Sequence, residues 1–107
     1  MLRDKKVSLR LRRNFPDDPF RLFVGEVKEF TESWILVRGK EITYYPETED
    51  FKVAKEIRIV CFPREVVLAI RVLPDHFDFQ KMEFGIDPAD GRIALKIPGA
   101  PLHRLEE

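Results

Sequence analysis

Apolar side chains recur at every second position in three separated stretches of the chain, and no other feature restricts its fold as strongly. Val7, Leu9 and Leu11 alternate with Ser8, Arg10 and Arg12; Ile57, Ile59 and Cys61 alternate against Arg58; Ile93, Leu95 and Ile97 alternate with Arg92, Ala94 and Lys96. A period of two is that of a strand with one buried face. The stretches are separated by turn chemistry. Residues 14–20 carry two prolines and two aspartates, and Pro46, Pro63 and Pro74 each close an apolar run, because proline cannot donate to a strand ladder.

Further strands fit between these markers. Leu22 to Phe30 is apolar with Gly25 inside it, and a glycine there marks a bulge or sharp bend. Trp34-Ile35-Leu36-Val37 opens a third strand that runs past Gly39 through Ile42, Tyr44 and Tyr45 to Pro46. Lys52 to Lys55 allows a helical turn before a fourth strand at Ile57–Cys61. Val66 to Leu73, dense in β-branched and aliphatic residues, reads as a fifth strand buried on both faces. Phe77, Phe79, Met82, Phe84 and Ile86 lead into Asp87-Pro-Ala-Asp-Gly91 and then the Ile93–Ile97 alternation, a hairpin whose Gly91 supplies positive φ.

The 107 residues allow one domain and one core. A hydrophobic share of 44% beside a charged share of 36% is enough to fold and leaves a heavily solvated surface. Basic and acidic residues cancel at 19 each, so no global field draws the protein to nucleic acid or to an anionic membrane. The cancellation conceals a basic strip. Residues 1–13 set six basic residues against Asp4, a net +5, and residues 14–50 set four basic against nine acidic, a net −5. With a single cysteine and no long apolar segment after Met1, a reducing, cytoplasmic setting without membrane insertion is expected.

The order of features resembles the Sm-like family, which includes Sm, Lsm and Hfq proteins. Lys6-Val7-Ser8-Leu9-Arg10-Leu11 looks like its first strand, Gly25-Glu26-Val27-Lys28-Glu29-Phe30 like its glycine-bent second, and Trp34-Ile35-Leu36-Val37 like its third. Val60-Cys61-Phe62-Pro63-Arg64-Glu65-Val66-Val67-Leu68-Ala69-Ile70 is similar to its second motif, in which a tight turn joins two short apolar strands. The resemblance covers about residues 6–74. It implies an all-β fold: a five-stranded Sm-like (SH3-like) small barrel at 6–74, an appended hairpin at 75–97 and an extended tail at 98–107, lying loose or on a neighbour, within one domain spanning 1–107. It also implies a homo-oligomeric ring in which the fourth strand of one copy pairs with the fifth of the next, closing both exposed edges.

Function is expected to be non-catalytic binding or scaffolding, with no cofactor. RNA is the partner the resemblance suggests. The family's base-holding turns read here as Thr31-Glu32-Ser33 and Pro63-Arg64-Glu65, where Arg64 is the one matching cation and Glu32 and Glu65 repel a phosphate backbone. Candidate RNA or anion contacts are therefore Arg10, Arg12, Arg13 and Arg64, and candidate stacking residues are Trp34, Tyr44 and Tyr45. The bland alternatives are a solvated strand face for the arginines and core or interface filling for the aromatics. A second resemblance, to PilZ-type barrels that sense ligands, rests on Arg10, Arg12 and Arg13 facing an anionic nucleotide.

Asp75-His76-Phe77-Asp78 groups three potential metal ligands but lacks a second element to complete a site. Cys61 has no neighbouring base to activate it and reads as a small core residue.

Overall fold

The computed structural model describes residues 2–106, so Met1 and Glu107, the ends of the expected 1–107 span, lie outside it. Among the described residues the fold is all-β. The elements are β1 (Lys6–Leu11), β2 (Phe20–Phe30), β3 (Trp34–Tyr45), β4 (Asp50–Val53), β5 (Arg58–Pro63), a 3₁₀ turn (Arg64–Val66), β6 (Val67–Val72), β7 (Glu83–Asp87), β8 (Arg92–Lys96) and β9 (His103–Arg104).

The first six strands form one antiparallel sheet in the order β4-β3-β2-β1-β6, with β5 also on β3. At twelve residues, β3 is long enough to serve two neighbours on its outer edge. Its first half pairs with β5 from Trp34↔Pro63 to Gly39↔Arg58, and its second half pairs with β4 from Ile42↔Val53 to Tyr45↔Asp50. What lets β2 and β3 turn together between these halves is the pair Gly25↔Gly39. A Cβ built on Gly25 would sit 2.1 Å from the Arg38 carbonyl oxygen, and one on Gly39 2.1 Å from that of Val24. The backbones approach so closely that neither position has room for a side chain.

Both faces of this sheet are apolar. Val7, Leu9 and Leu11 of β1, Phe23 and Val27 of β2, and Ile35 and Val37 of β3 bury an inner core, which Phe62 of β5 closes edge-on against Phe23 with centroids 5.2 Å apart. Leu22 and Val24, the alternate residues of β2, and Ile42 and Tyr44 of β3 point the other way. They pack with Leu73, Phe77, Phe79, Leu95, Ile97 and Leu105 in a second core, where the chain length alone predicts a single one. This second core lies under the sheet β7-β8-β9. Gly91 turns the β7–β8 hairpin with φ 71°, and Phe51 of β4 meets Phe84 of β7 at 4.7 Å.

Five expectations are corrected. First, the sheet is not a closed five-stranded wall, because β5 and β6 do not pair with each other. Second, residues 50–53 extend as β4, since Phe51 and Val53 gain a ladder on β3 that a helical turn would forfeit. Third, β6 is largely exposed, with Leu68 at 61% and Val72 at 53%; an aliphatic run also suits a strand whose outer side has no neighbour. Fourth, Cys61 is exposed, because Val60 and Phe62 are the residues of β5 that turn inward. Fifth, the tail is neither loose nor on another molecule: His103 and Arg104 pair with Leu95 and Ala94 of β8, and Leu105 is buried.

The glycine pair gives a direct test. Gly25→Ala and Gly39→Ala should each cost about 3 kcal/mol or more in urea unfolding, because the added methyl meets backbone that cannot move aside. Gly91→Ala, with nothing within 4 Å of its Cβ position, should cost only the positive-φ penalty of about 1–2 kcal/mol.

Candidate functional site

The basic strip divides into structural and available arginines. On β1 the residues opposite the inner core, Ser8 and Arg10, do not face water, because the tail covers them. Arg10 is 8% exposed and donates to the carbonyls of Leu105 at 3.2 Å and Arg104 at 3.0 Å. It therefore leaves the expected solvent-facing set. Arg12 lies past the covered part of the strand. Its backbone N–H donates to Val66, its side chain is exposed, and among the described residues its guanidinium has no partner.

Arg13 is held by the loop it precedes. It donates to the carbonyls of Pro16 at 2.9 Å and Asp18 at 3.2 Å, and it stacks 3.9 Å from the centre of the Phe20 ring. The Asp18 carboxylate accepts from the backbone N–H groups of Asn14 and Phe15, so the 14–18 turn is fastened from both sides.

Two shallow clefts flank this turn. One, of about 420 Å³, is lined by Arg12, Arg13, Asn14, Phe15, Pro16 and Leu68. The other, of about 300 Å³, is lined by Arg12, Arg13, Asn14, Asp18, Pro19 and Arg21, with Arg21 3.8 Å from Glu41. Phe15, Arg21 and Leu68 carry no sequence signal that ties them to Arg12. They meet it only because the turn folds back and β6 runs beside β1.

The two turns compared with the family's base-holding turns lie side by side. The Arg64 backbone N–H donates to Ser33 at 3.0 Å, and its guanidinium donates to Thr31 at 2.8 Å and lies 4.4 Å from the Phe30 ring centre. Arg64 thus fastens the start of the 3₁₀ turn to the β2–β3 connection. Trp34 is half-buried beside it. Tyr44 is 3% exposed in the second core, while Tyr45 is exposed with Lys52 Nζ 6.0 Å from its ring centre. Trp34 and the tyrosines stand at opposite ends of the twelve-residue β3, on either side of its bend at Gly39.

The tail brings together a cluster that sequence reasoning missed. His103 Nδ1 lies 2.7 Å from Arg71 NH1, and Nε2 lies 2.8 Å from Ser8 Oγ. A guanidinium only donates, so Nδ1 is the acceptor and Nε2 carries the proton it gives to Ser8. A serine–histidine pair in acyl transfer needs the reverse: a free Nε2 to take the hydroxyl proton and an anion at Nδ1. Here burial first, and then the charges of Arg71 and Arg10, lower the imidazole pKa to about 4. The pair is a neutral clasp, and Arg71 extends it by donating to Pro101 at 3.3 Å.

His76, from the other histidine segment, donates from Nε2 to the Pro98 carbonyl. Among the described residues no group of three or more histidine, cysteine or acidic side chains is placed to hold a metal.

The remaining candidate surface is the open rim. Among the described residues β5 pairs only with β3, and β6 only with β1. Ile59 on β5 is 62% exposed and Val72 on β6 is 53% exposed. Among the described residues no helix is long and apolar enough to cross a membrane. No family model, curated protein or solved structure matches the chain.

The clasp has a pH signature. The folded-state pKa of about 4 lies below the ordinary 6.5, so the unfolded chain takes up the proton first as pH falls. The stabilisation from neutral His103 is full above pH 6.5 and drains away as pH falls toward 4. Between pH 7 and 4.5 the wild type should lose about 2 kcal/mol more unfolding free energy than His103→Gln, whose amide does not titrate. Equal losses in the two proteins would mean that the imidazole is not held neutral.

Proposed function

We propose that the protein is a non-catalytic, Sm-like binding or scaffolding module that assembles with copies of itself by joining β5 of one molecule to β6 of the next. The observation that carries this reading is the unpaired pair of edges on either side of the Arg64–Val66 turn. Each six-residue strand leaves one row of N–H and C=O groups without a ladder partner, and each shows a large aliphatic residue to solvent, Ile59 on one and Val72 on the other. Exposed apolar edges of this kind are a hazard unless they are paired.

The other edge strands are shorter: β7 has five residues, β4 four and β9 two. A head-to-tail β5–β6 contact uses different surfaces on the two partners, so repeated addition closes a ring when the rotation permits. The glycine-bent β2 and the tight 3₁₀ connection between β5 and β6 also support an Sm-like reading.

Native mass measurement at micromolar concentration tests the proposal. A discrete multiple of the chain mass is expected, and a strict monomer overturns it. Ile59→Glu and Val72→Glu change exposed side chains and should leave folding within about 0.5 kcal/mol of wild type. Each should shift the assembly toward monomer, because it sets a carboxylate beside the incoming strand. An assembly unchanged by either variant would move the contact away from these edges.

A further inference from the structure

The cleft between the 14–16 turn and β6 combines three properties that are not required for folding. First, its charge is of one sign: Arg12 and Arg13 line it and no carboxylate does. Asp18 lines the opposite cleft and is occupied by two backbone N–H groups, and Asp17 is exposed on the turn outside both. Second, the Arg12 guanidinium is without a partner among the described residues. Third, Phe15 presents its ring at 66% exposure and Leu68 faces solvent at 61%, so an aromatic and an aliphatic surface flank the cations.

The geometry is also set in advance. Arg13 is clamped on the Pro16 and Asp18 carbonyls and on the Phe20 ring, so the turn that carries Phe15 has little left to order on binding.

We propose that this cleft is a binding site for a nucleoside phosphate. The phosphate lies on Arg12, whose forked donors match phosphate oxygens, and the base lies against Phe15 and Leu68. A cation beside a bare aromatic face is the pairing that a ligand with a planar base and an adjacent phosphate satisfies at once. An acidic peptide would use the guanidinium and leave the ring wet. Neither Ile59 nor Val72 lines the cleft, but Leu68 shares β6 with Val72, so the titration is read on the Ile59→Glu protein as well as on the wild type.

The experiment is a titration of the full chain, followed by calorimetry and by the backbone amide signals of Asn14 and Phe15, with adenosine 5′-monophosphate, adenosine, inorganic phosphate and a five-nucleotide single-stranded RNA. Saturable binding of the monophosphate is expected. Adenosine and inorganic phosphate alone should each bind at least about tenfold more weakly, since each lacks one half of the contact. Arg12→Ala and Phe15→Ala remove exposed side chains that take no part in the turn's hydrogen bonding, which for these two residues is made by the backbone, and should each weaken binding about tenfold. Unfolding midpoints for these variants verify that the fold is intact.

Binding of the RNA through the same two amides, with the monophosphate weaker, assigns the nucleoside phosphate to a strand and supports the site. A flat response to both overturns it, as does binding that Arg12→Ala and Phe15→Ala leave unchanged. Retention on phosphatidylglycerol vesicles with no nucleotide response also overturns it, by making the cleft a lipid-contacting tip.

Discussion

The close approach of β2 and β3 at Gly25 and Gly39 is the constraint on which the remaining architecture rests. Where two backbones come near enough that a Cβ would fall 2.1 Å from a carbonyl oxygen, the paired strands bend together and the sheet can wrap over its own inner face. From that bend follows the division of β3 between β5 and β4. It also follows that one strand feeds two cores, Phe23 and Val27 inward and Leu22 and Val24 outward. A flat β2–β3 ribbon would leave one of these apolar sets in water.

Having two apolar faces obliges the chain to supply a second layer, and the C-terminal third is that layer. Its cost falls on β1, whose outward residues are polar. Ser8 and Arg10 are covered by the tail and would destabilise the fold if left without hydrogen bonds. The clasp resolves this. Arg10 takes two tail carbonyls, Ser8 accepts from His103, and Arg71 holds the other imidazole nitrogen. No buried side-chain nitrogen or oxygen among the described residues lacks a partner. Arg104 also reaches Asp87 and Asp90 in the hairpin turn, so the last strand is fastened to both layers. The basic character of β1 thus belongs partly to packing, and Arg12, just beyond the covered strand, keeps its side chain exposed.

Much of the sheet is readable from spacing alone. The alternation at Val7–Leu11 and at Ile93–Ile97 locates β1 and β8, Gly25 marks the bend, and Gly91 marks the hairpin. The errors have a common physical origin. At β5, Ile59 and Cys61 look like the buried set because isoleucine is more apolar than its neighbours, yet Val60 and Phe62 face the core. With apolar residues at both parities, period two cannot choose a face, and a shift of one residue inverts every side chain. Arg10 was misread for the complementary reason: polar parity signals water only when nothing lies over the strand, and the covering segment is more than ninety residues away in sequence. For the candidate cleft, Arg12 and Arg13 were legible as charge. Phe15 and Leu68 were not, because their proximity depends on how β6 is placed against β1.

The open rim and the cleft share one structural cause. β6 is held on β1 with a register shift at Arg10/Leu11, and the Arg12 backbone N–H reaches past the end of the ladder to Val66 in the 3₁₀ turn. That turn carries the chain from β5 to β6 without pairing them, so the sheet stays open there. The bulged start of β6 leaves Leu68 outside the inner core, which Val67 and Ile70 fill instead. Had β5 and β6 closed on each other, Ile59 and Val72 would have had an internal neighbour. The surfaces available for recognition therefore lie where the inner sheet stops short of a barrel. The face that the second layer covers is spent on holding the molecule together.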